Sequence, residues 1–184
     1  RLCVQVAEFD GERLFLKGGE IIPTHTVVWA AGVRANELFD KLNIAQGRAG
    51  RAIVNEYLQI PNRPEVFVIG DAAYFEQDGQ PLPMIAPVAI QQAGVAAKNI
   101  LHMINDHSLV PFNYRPVGSM ATIGRNAAVV SIGRFKFKGF GAWLVWSLIH
   151  IWRLIDFRNR TVVFMKWIWD YLVYERVVRI ITRQ

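Results

Sequence analysis

Several features that define common protein classes are scarce or missing in this sequence of 184 residues. Cys3 is the only cysteine, so the sequence offers no disulfide and no redox-active dithiol. No Gly-x-Gly-x-x-Gly motif follows a strand pattern, and the nearest approach, Gly139-Phe140-Gly141, runs into aromatic residues. The apolar run 140–155 is interrupted by a serine, a histidine and an arginine and is shorter than the roughly 20 residues that cross a bilayer. These absences exclude a disulfide scaffold, a pyrophosphate-binding loop and a membrane-spanning helix.

Residues with metal-ligand chemistry are also few. His102 and His107 flank a loop that contains Asp106, but histidines beside a polar turn more often face solvent than bind a metal ion. We therefore predict no metal site.

Acidic residues are rare toward the C-terminus. Residues 134–184 contain ten Lys and Arg against three Asp and Glu, and they hold five of the six tryptophans. Tryptophan combined with basic side chains is typical of helices at a membrane interface, which favours a membrane surface over nucleic acid as the partner. From Tyr174 onward, apolar residues recur at the spacing of one helix face while basic residues occupy the other. The sequence thus predicts a C-terminal amphipathic helical tail, although helices packed on the protein's own core or a dimer interface would produce a similar pattern.

Two apolar runs have the composition of buried strands. Residues 66–69 lead into Gly70 and Asp71, and residues 26–29 lead into Ala30, Ala31 and Gly32. In open α/β sheets, ligands bind beyond the carboxyl ends of the strands, where glycine allows close approach and a carboxylate accepts hydrogen bonds from hydroxyl groups. The alternative interpretation is a strand that enters a turn, with Asp71 as an ordinary helix N-cap.

The middle of the chain contains simpler local patterns. Residues 87–104 predict a helix with Pro87 in its first turn, where a missing N–H costs least. Residues 120–123 and 127–132 predict a β-hairpin, and residues 4–9 and 14–16 predict another at the start of the chain.

The segments "TVVWAAGV", "AIVNEYLQ" and "PEVFVIGDAA", in this order, resemble the C-terminal half of the two-dinucleotide-binding-domain flavoproteins. Residues 86–94 resemble the flavin-facing helix of the type II NADH:quinone oxidoreductases, whose pattern is Ala-Gln-x-Ala-x-Gln. Ala86, Ala89 and Gln91 match this pattern, whereas Pro87 replaces its first glutamine. The segment "PFNYRPVGSMATIGRNAAV" and the tail with "IDFRNR" are similar to the same enzymes.

The resemblance implies an α/β fold: a partial Rossmann-like FAD/NAD(P)-binding domain with a β-hairpin region and the amphipathic tail. It implies that Gly70 and Asp71 hold the ribityl chain of FAD, that the Ala89 backbone faces the flavin ring, and that Gln91 contacts a quinone. Ala31 and Gly32 are expected to lie close to the cofactor. The expected segments are 1–32 as a remnant of the NADH-binding domain with its return strand, 33–133 as part of the FAD-binding domain, and 134–184 as the tail.

The implied activity is electron transfer from NADH through FAD to a membrane quinone without proton pumping. The enzyme is expected on the cytoplasmic face of the inner (plasma) membrane as a peripheral protein, with a homodimer possible. Because the chain starts at Arg1 inside a hairpin and lacks a pyrophosphate loop, we expect a C-terminal fragment that binds flavin weakly or not at all and is inactive alone. The alternatives are another quinone-linked flavoprotein, such as a sulfide:quinone reductase, and a non-catalytic membrane-docking module.

Overall fold

A computed structural model describes residues 3–30 and 32–173. The chain divides into two compact units, Arg1–Tyr114 and Arg115–Gln184. The expected segments 1–32, 33–133 and 134–184 stay a prediction.

The first unit begins with a three-stranded antiparallel sheet. Strands β1 (Val6–Phe9), β2 (Arg13–Leu16) and β3 (Ile21–Pro23) pair in sequence order. The first turn is closed by Asp10, whose Oδ1 accepts the N–H groups of Glu12 and Arg13 at 2.9 and 2.7 Å. These backbone hydrogen bonds, above all, lower the pKa of Asp10 from its usual value. The predicted N-terminal hairpin is confirmed.

A short helix, six short strands and one long helix complete this unit. In chain order they are α1 (Leu38–Lys41), β4 (Ala52–Ile53), β5 (Gln59–Ile60), β6 (Arg63–Phe67), β7 (Ala73–Tyr74), β8 (Glu76–Gln77), β9 (Gln80–Pro81) and α2 (Ala86–Ile104). Strands β4 and β7 are parallel, whereas β5–β6 and β8–β9 are antiparallel pairs. The predicted helix over residues 87–104 is confirmed, with a proline in its first turn.

The two strands predicted to end at the cofactor differ from expectation. The strand predicted over residues 66–69 lies at Arg63–Phe67, two to three residues earlier, and Ile69 is exposed. The strand predicted over residues 26–29 is wrong: Val28 and Trp29 are 85% and 68% exposed, and this segment forms no strand. A strand needs a neighbour to satisfy its N–H and C=O groups, and none of the described residues pairs with this segment.

The core of the first unit lies under α2. Val88, Gln92, Ala96 and Asn99 form the buried stripe of this helix at a spacing of three and four residues. Val88 and Ala96 belong to a core built from β4, the β5–β6 pair, β7 and the segment after α2, where Phe75 and Phe112 meet edge-to-face at 5.2 Å. Asn99 is fully buried and satisfied: its Oδ1 accepts the Val110 N–H and its Nδ2 donates to the Val110 C=O.

The second unit is a three-stranded antiparallel sheet followed by two helices. Strands β10 (Ser119–Gly124), β11 (Ala127–Ile132) and β12 (Phe135–Gly139) pair in sequence order, which confirms the predicted hairpin. The segment predicted as a helical tail from residue 134 therefore begins with a strand. Phenylalanine and lysine alternate along β12, so its lysines lie on the face of the sheet opposite α3. The sequence analysis considered the basic charge of this segment and not this alternation.

Helix α3 (Phe140–Trp152) packs on this sheet, and helix α4 (Phe157–Val173) packs on α3. Ala128, Val130 and Ala142 form a small core, with Trp143 and Trp146 against it. Between the helices, Trp146 and Trp167 stack with ring centroids 5.6 Å apart. None of the helices in the described part of the chain is long and apolar enough to cross a membrane. The amphipathic pattern predicted from Tyr174 onward lies outside the described residues.

Candidate functional site

Gly70 occupies a turn whose backbone conformation and close packing favour glycine. It follows β6 and opens a 3₁₀ turn, Gly70–Ala72, that leads into β7. Its φ of +67° lies in the left-handed region, where a Cβ atom is strained. A Cβ on Gly70 would also lie 3.2 Å from the Cβ of Ala89 on α2. The turn therefore packs directly against the first part of α2.

Gln92 fastens this turn and is a site residue that the sequence analysis did not identify. Its side chain is 1% exposed, and its Oε1 accepts the Gly70 N–H at 2.6 Å. Ala89 and Gln92 are three residues apart and so share a helix face. The sequence does contain a signal for this role. Gln92 falls at the helical spacing of Val88, Ala96 and Asn99, and a polar side chain in a buried stripe needs a hydrogen-bond partner.

Asp71 is exposed beside the fixed Gly70 amide. Within the described part of the chain its carboxylate accepts no hydrogen bond and forms no ion pair. Asp71 lies inside the 3₁₀ turn Gly70–Ala72, whose N-cap is Ile69, so Asp71 is not the helix N-cap of the alternative interpretation. The Asp71 carboxylate keeps its full capacity to accept hydrogen bonds from a ligand.

The remaining predicted residues fall into two groups. Ala89 meets Gly70 through its methyl group, while its N–H donates to the Ile85 carbonyl at 3.3 Å. Gln91 is half-buried, and its side chain leaves α2 about 100° around the axis from that of Gln92, so it is not part of the Gly70 contact. Gly32 has a φ of +94° and lines a separate cleft of about 360 Å³. Ala31 lies outside the described residues.

The structure thus brings Gly70, Asp71 and Ala89 together, with Gln92 beneath them. This surface consists of the Gly70 backbone, the Ala89 methyl group and the accessible Asp71 carboxylate. It suits a ligand chain that carries hydroxyl groups.

Comparison with known proteins shows the family to which the chain belongs. Residues 1–93 match the pyridine nucleotide-disulphide oxidoreductase family and residues 117–174 match the NDH2 C-terminal domain. The chain is 41% identical over 151 residues to the type II NADH:quinone oxidoreductase NdhA of Mycobacterium tuberculosis, covering 76% of this chain and 31% of that protein. It is 38% identical over 164 residues to the type II NADH:quinone oxidoreductase Ndh of the same organism, covering 85% and 35%.

A solved structure shares the fold. The structure of NDH2 from Plasmodium falciparum in complex with NADH aligns with a TM-score of 0.77 at 14% identity, covering 96% of this chain and 52% of that one. The chain belongs to the pyridine nucleotide-disulphide oxidoreductase family. Within that family its relatives are the type II NADH:quinone oxidoreductases, which confirms the resemblance and the Rossmann-like α/β class. The chain spans about a third of the length of these two curated relatives.

Proposed function

We propose that the protein transfers electrons from NADH through FAD to a membrane quinone without pumping protons. The observation that carries this proposal is the Gly70–Asp71 turn, which Gln92 holds against α2. The two M. tuberculosis relatives, named as NADH:quinone oxidoreductases, support the choice of substrates.

The residues of the turn fit the ribityl part of FAD. When bound, FAD supplies the two-electron redox chemistry that connects a hydride donor to a quinone. The Asp71 carboxylate would accept hydrogen bonds from ribityl hydroxyl groups, and the tight turn at Gly70 would present it to them. The N-terminal end of α2 carries a partial positive charge that favours negative charge on a flavin ring. Gln91 donates a hydrogen bond to a quinone carbonyl.

Two alternatives are less well supported. A sulfide:quinone reductase uses a reactive cysteine near the flavin, and the only cysteine here is the exposed Cys3, which precedes β1. A non-catalytic membrane-docking module has no use for a ligand site, so it does not explain why the exposed Asp71 carboxylate lies beside the fixed Gly70 backbone.

The test of this function is spectroscopic. The purified product of the complete gene is expected to show flavin absorption bands that bleach on addition of NADH and return on addition of a short-chain quinone. Sulfide is the matched control donor and is expected to leave the bands unchanged. A colourless preparation that also fails to take up added FAD would overturn the oxidoreductase proposal, and bleaching by sulfide would favour the sulfide:quinone alternative.

We also propose that α3 and α4 attach the protein to the cytoplasmic face of the inner (plasma) membrane. Large apolar side chains are exposed along both helices, including Trp152 at 74% and Trp169 at 62%. Basic residues accompany them, and Arg160 lies over the Trp152 ring at 5.1 Å. Anionic headgroups contribute about 1 kcal/mol for each nearby Lys or Arg, and apolar burial adds to this. A quinone is lipid-soluble, so its reductase needs this proximity.

Vesicle binding tests the attachment with point variants, since deleting residues 134–184 would also remove β12 and disrupt the sheet. Trp152→Ser with Trp169→Ser is expected to weaken co-sedimentation with anionic vesicles about tenfold. Trp29→Ser, an equally exposed tryptophan in the first unit, is the control and is expected to bind as the parent does. Equal binding by all three proteins would contradict the assignment. Size-exclusion chromatography without vesicles tests the alternative. If the parent elutes as a dimer and the double variant elutes as a monomer, the surface is a homodimer interface.

A further inference from the structure

The cleft that contains Gly32 carries positive charge without a carboxylate to balance it. Its volume is about 360 Å³, and Arg48 and Arg51 lie in its wall together with Gly32, Val33 and the segment 81–84. Arg51 is only 5% exposed, which is unusual for arginine. Neither guanidinium forms an ion pair with an acidic side chain among the residues that the structure describes.

Arg51 is held in place by backbone carbonyl groups. Its Nη1 donates to the Leu82 C=O at 2.9 Å and, more weakly, to the Ala73 C=O at 3.5 Å, and its Nε donates to the Arg48 C=O at 3.3 Å. Its guanidinium also lies over the Tyr74 ring at 5.0 Å. Carbonyl groups and a ring hold the side chain and stabilise its charge in part, but they carry no negative charge that would neutralise it.

The acidic groups nearby are occupied elsewhere. Asp40 contacts Arg34 Nη2 at 3.6 Å and accepts a hydrogen bond from Gln46 Nε2 at 2.8 Å. Glu76 accepts the Tyr74 hydroxyl at 2.6 Å, which raises the pKa of Tyr74 and keeps that ring neutral under Arg51. The positive charge of the cleft is therefore left for a ligand.

Backbone amides add uncharged donors to the same wall. The N–H groups of Gly32 and Val33 donate to no acceptor in the described part of the chain. Gly32 has open space where a Cβ atom would lie, so a ligand can approach its backbone. Guanidinium groups beside unused amides are the donor set that binds phosphate oxygens in proteins.

We propose that the cleft lined by Arg48, Arg51 and Gly32 binds a phosphoryl group. The volume exceeds that of one phosphate and accommodates a diphosphate. Two sources share this chemistry: the diphosphate of a dinucleotide bound by the protein itself, and a separate phosphorylated small molecule. The proposal rests on the cleft alone and stands or falls independently of the oxidoreductase function.

Binding of inorganic pyrophosphate, measured by isothermal titration calorimetry, tests the site. Arg48→Gln is the informative variant, because Arg48 is exposed and its loss does not remove the carbonyl contacts of Arg51. It is expected to weaken pyrophosphate binding about tenfold, the effect of losing one charge-assisted hydrogen bond. Arg63→Gln removes the same charge from an exposed position on β6, outside the cleft lining, and is expected to leave binding unchanged.

The two sources are separated by repeating the titration on the flavin-free and flavin-loaded forms of the complete gene product. Binding to the flavin-free form alone assigns the cleft to the dinucleotide's own diphosphate, and binding to both forms assigns it to a separate ligand. The proposal is overturned if pyrophosphate does not bind to either form, or if Arg48→Gln and Arg63→Gln weaken it equally, which would indicate a general effect of net charge.

Discussion

Replacing Gly70 with valine is expected to lower the free energy of unfolding by about 2–5 kcal/mol. A left-handed backbone costs a side-chain-bearing residue about 1–2 kcal/mol, and forcing a side chain into a filled space costs about 1–3 kcal/mol more. Both apply here, because φ is +67° and the new Cβ would lie 3.2 Å from that of Ala89. Urea denaturation of the full chain, followed by circular dichroism, measures the change.

Gly94→Val is the matched control for this experiment. Gly94 lies on α2, has a helical backbone and has no heavy atom within 4 Å of the position of an added Cβ. Its replacement is expected to change stability by less than about 0.5 kcal/mol, since valine has a better helix propensity than glycine and the site is open. If Gly70→Val unfolds at the same urea concentration as Gly94→Val, the close packing of the turn on α2 is not what holds this part of the fold.

In the product of the complete gene, replacing Asp71 with alanine is expected to weaken FAD binding about 10- to 100-fold while leaving the fold intact. A hydrogen bond to a charged group contributes about 1.5–3 kcal/mol, which corresponds to that range of affinity. The Asp71 carboxylate is exposed and makes no hydrogen bond within the described residues, so its loss is expected to cost less than about 0.5 kcal/mol of stability. Quenching of flavin fluorescence by the apoprotein measures the affinity, and urea denaturation measures the stability.

Glu65→Ala is the control for Asp71→Ala. Glu65 is an exposed carboxylate on β6, six residues before Asp71, so the two variants lose the same charge from neighbouring parts of one unit. Glu65→Ala is expected to bind FAD like the parent. Equal FAD affinities for the two variants would remove Asp71 from the cofactor site, whatever the outcome for Gly70.

Local patterns in the sequence predicted much of the fold because their causes are local. The α2 helix follows from its periodic apolar residues and the proline in its first turn, and its predicted range differs from the observed Ala86–Ile104 by one residue. The two hairpins follow from turn residues between apolar runs, such as Asp10, whose carboxylate closes the turn by itself. The Gly70–Asp71 turn was predicted from its residues, and the structure places it against Ala89.

Pairing between distant segments was not predictable in the same way. Residues 26–29 have the composition of a buried strand, yet they are exposed because composition does not supply a neighbour for their backbone groups. Residues 135–139 were assigned to a helical tail by their charge, although their alternation of phenylalanine and lysine fits the edge strand that they form beside β11. Arg51 belongs to none of the motifs in the sequence, and its burial depends on carbonyl groups from two other segments.

The sequence by itself determined the family, the long helix, the turns and the residue types predicted to hold the cofactor, since each depends on residues within one short segment. Only the tertiary structure decided that Gln92 supports Gly70, that Arg51 is buried beside Gly32, and which apolar runs lie inside. These arrangements depend on which distant backbone and side-chain groups satisfy one another's hydrogen bonds, and a linear pattern does not specify those partners.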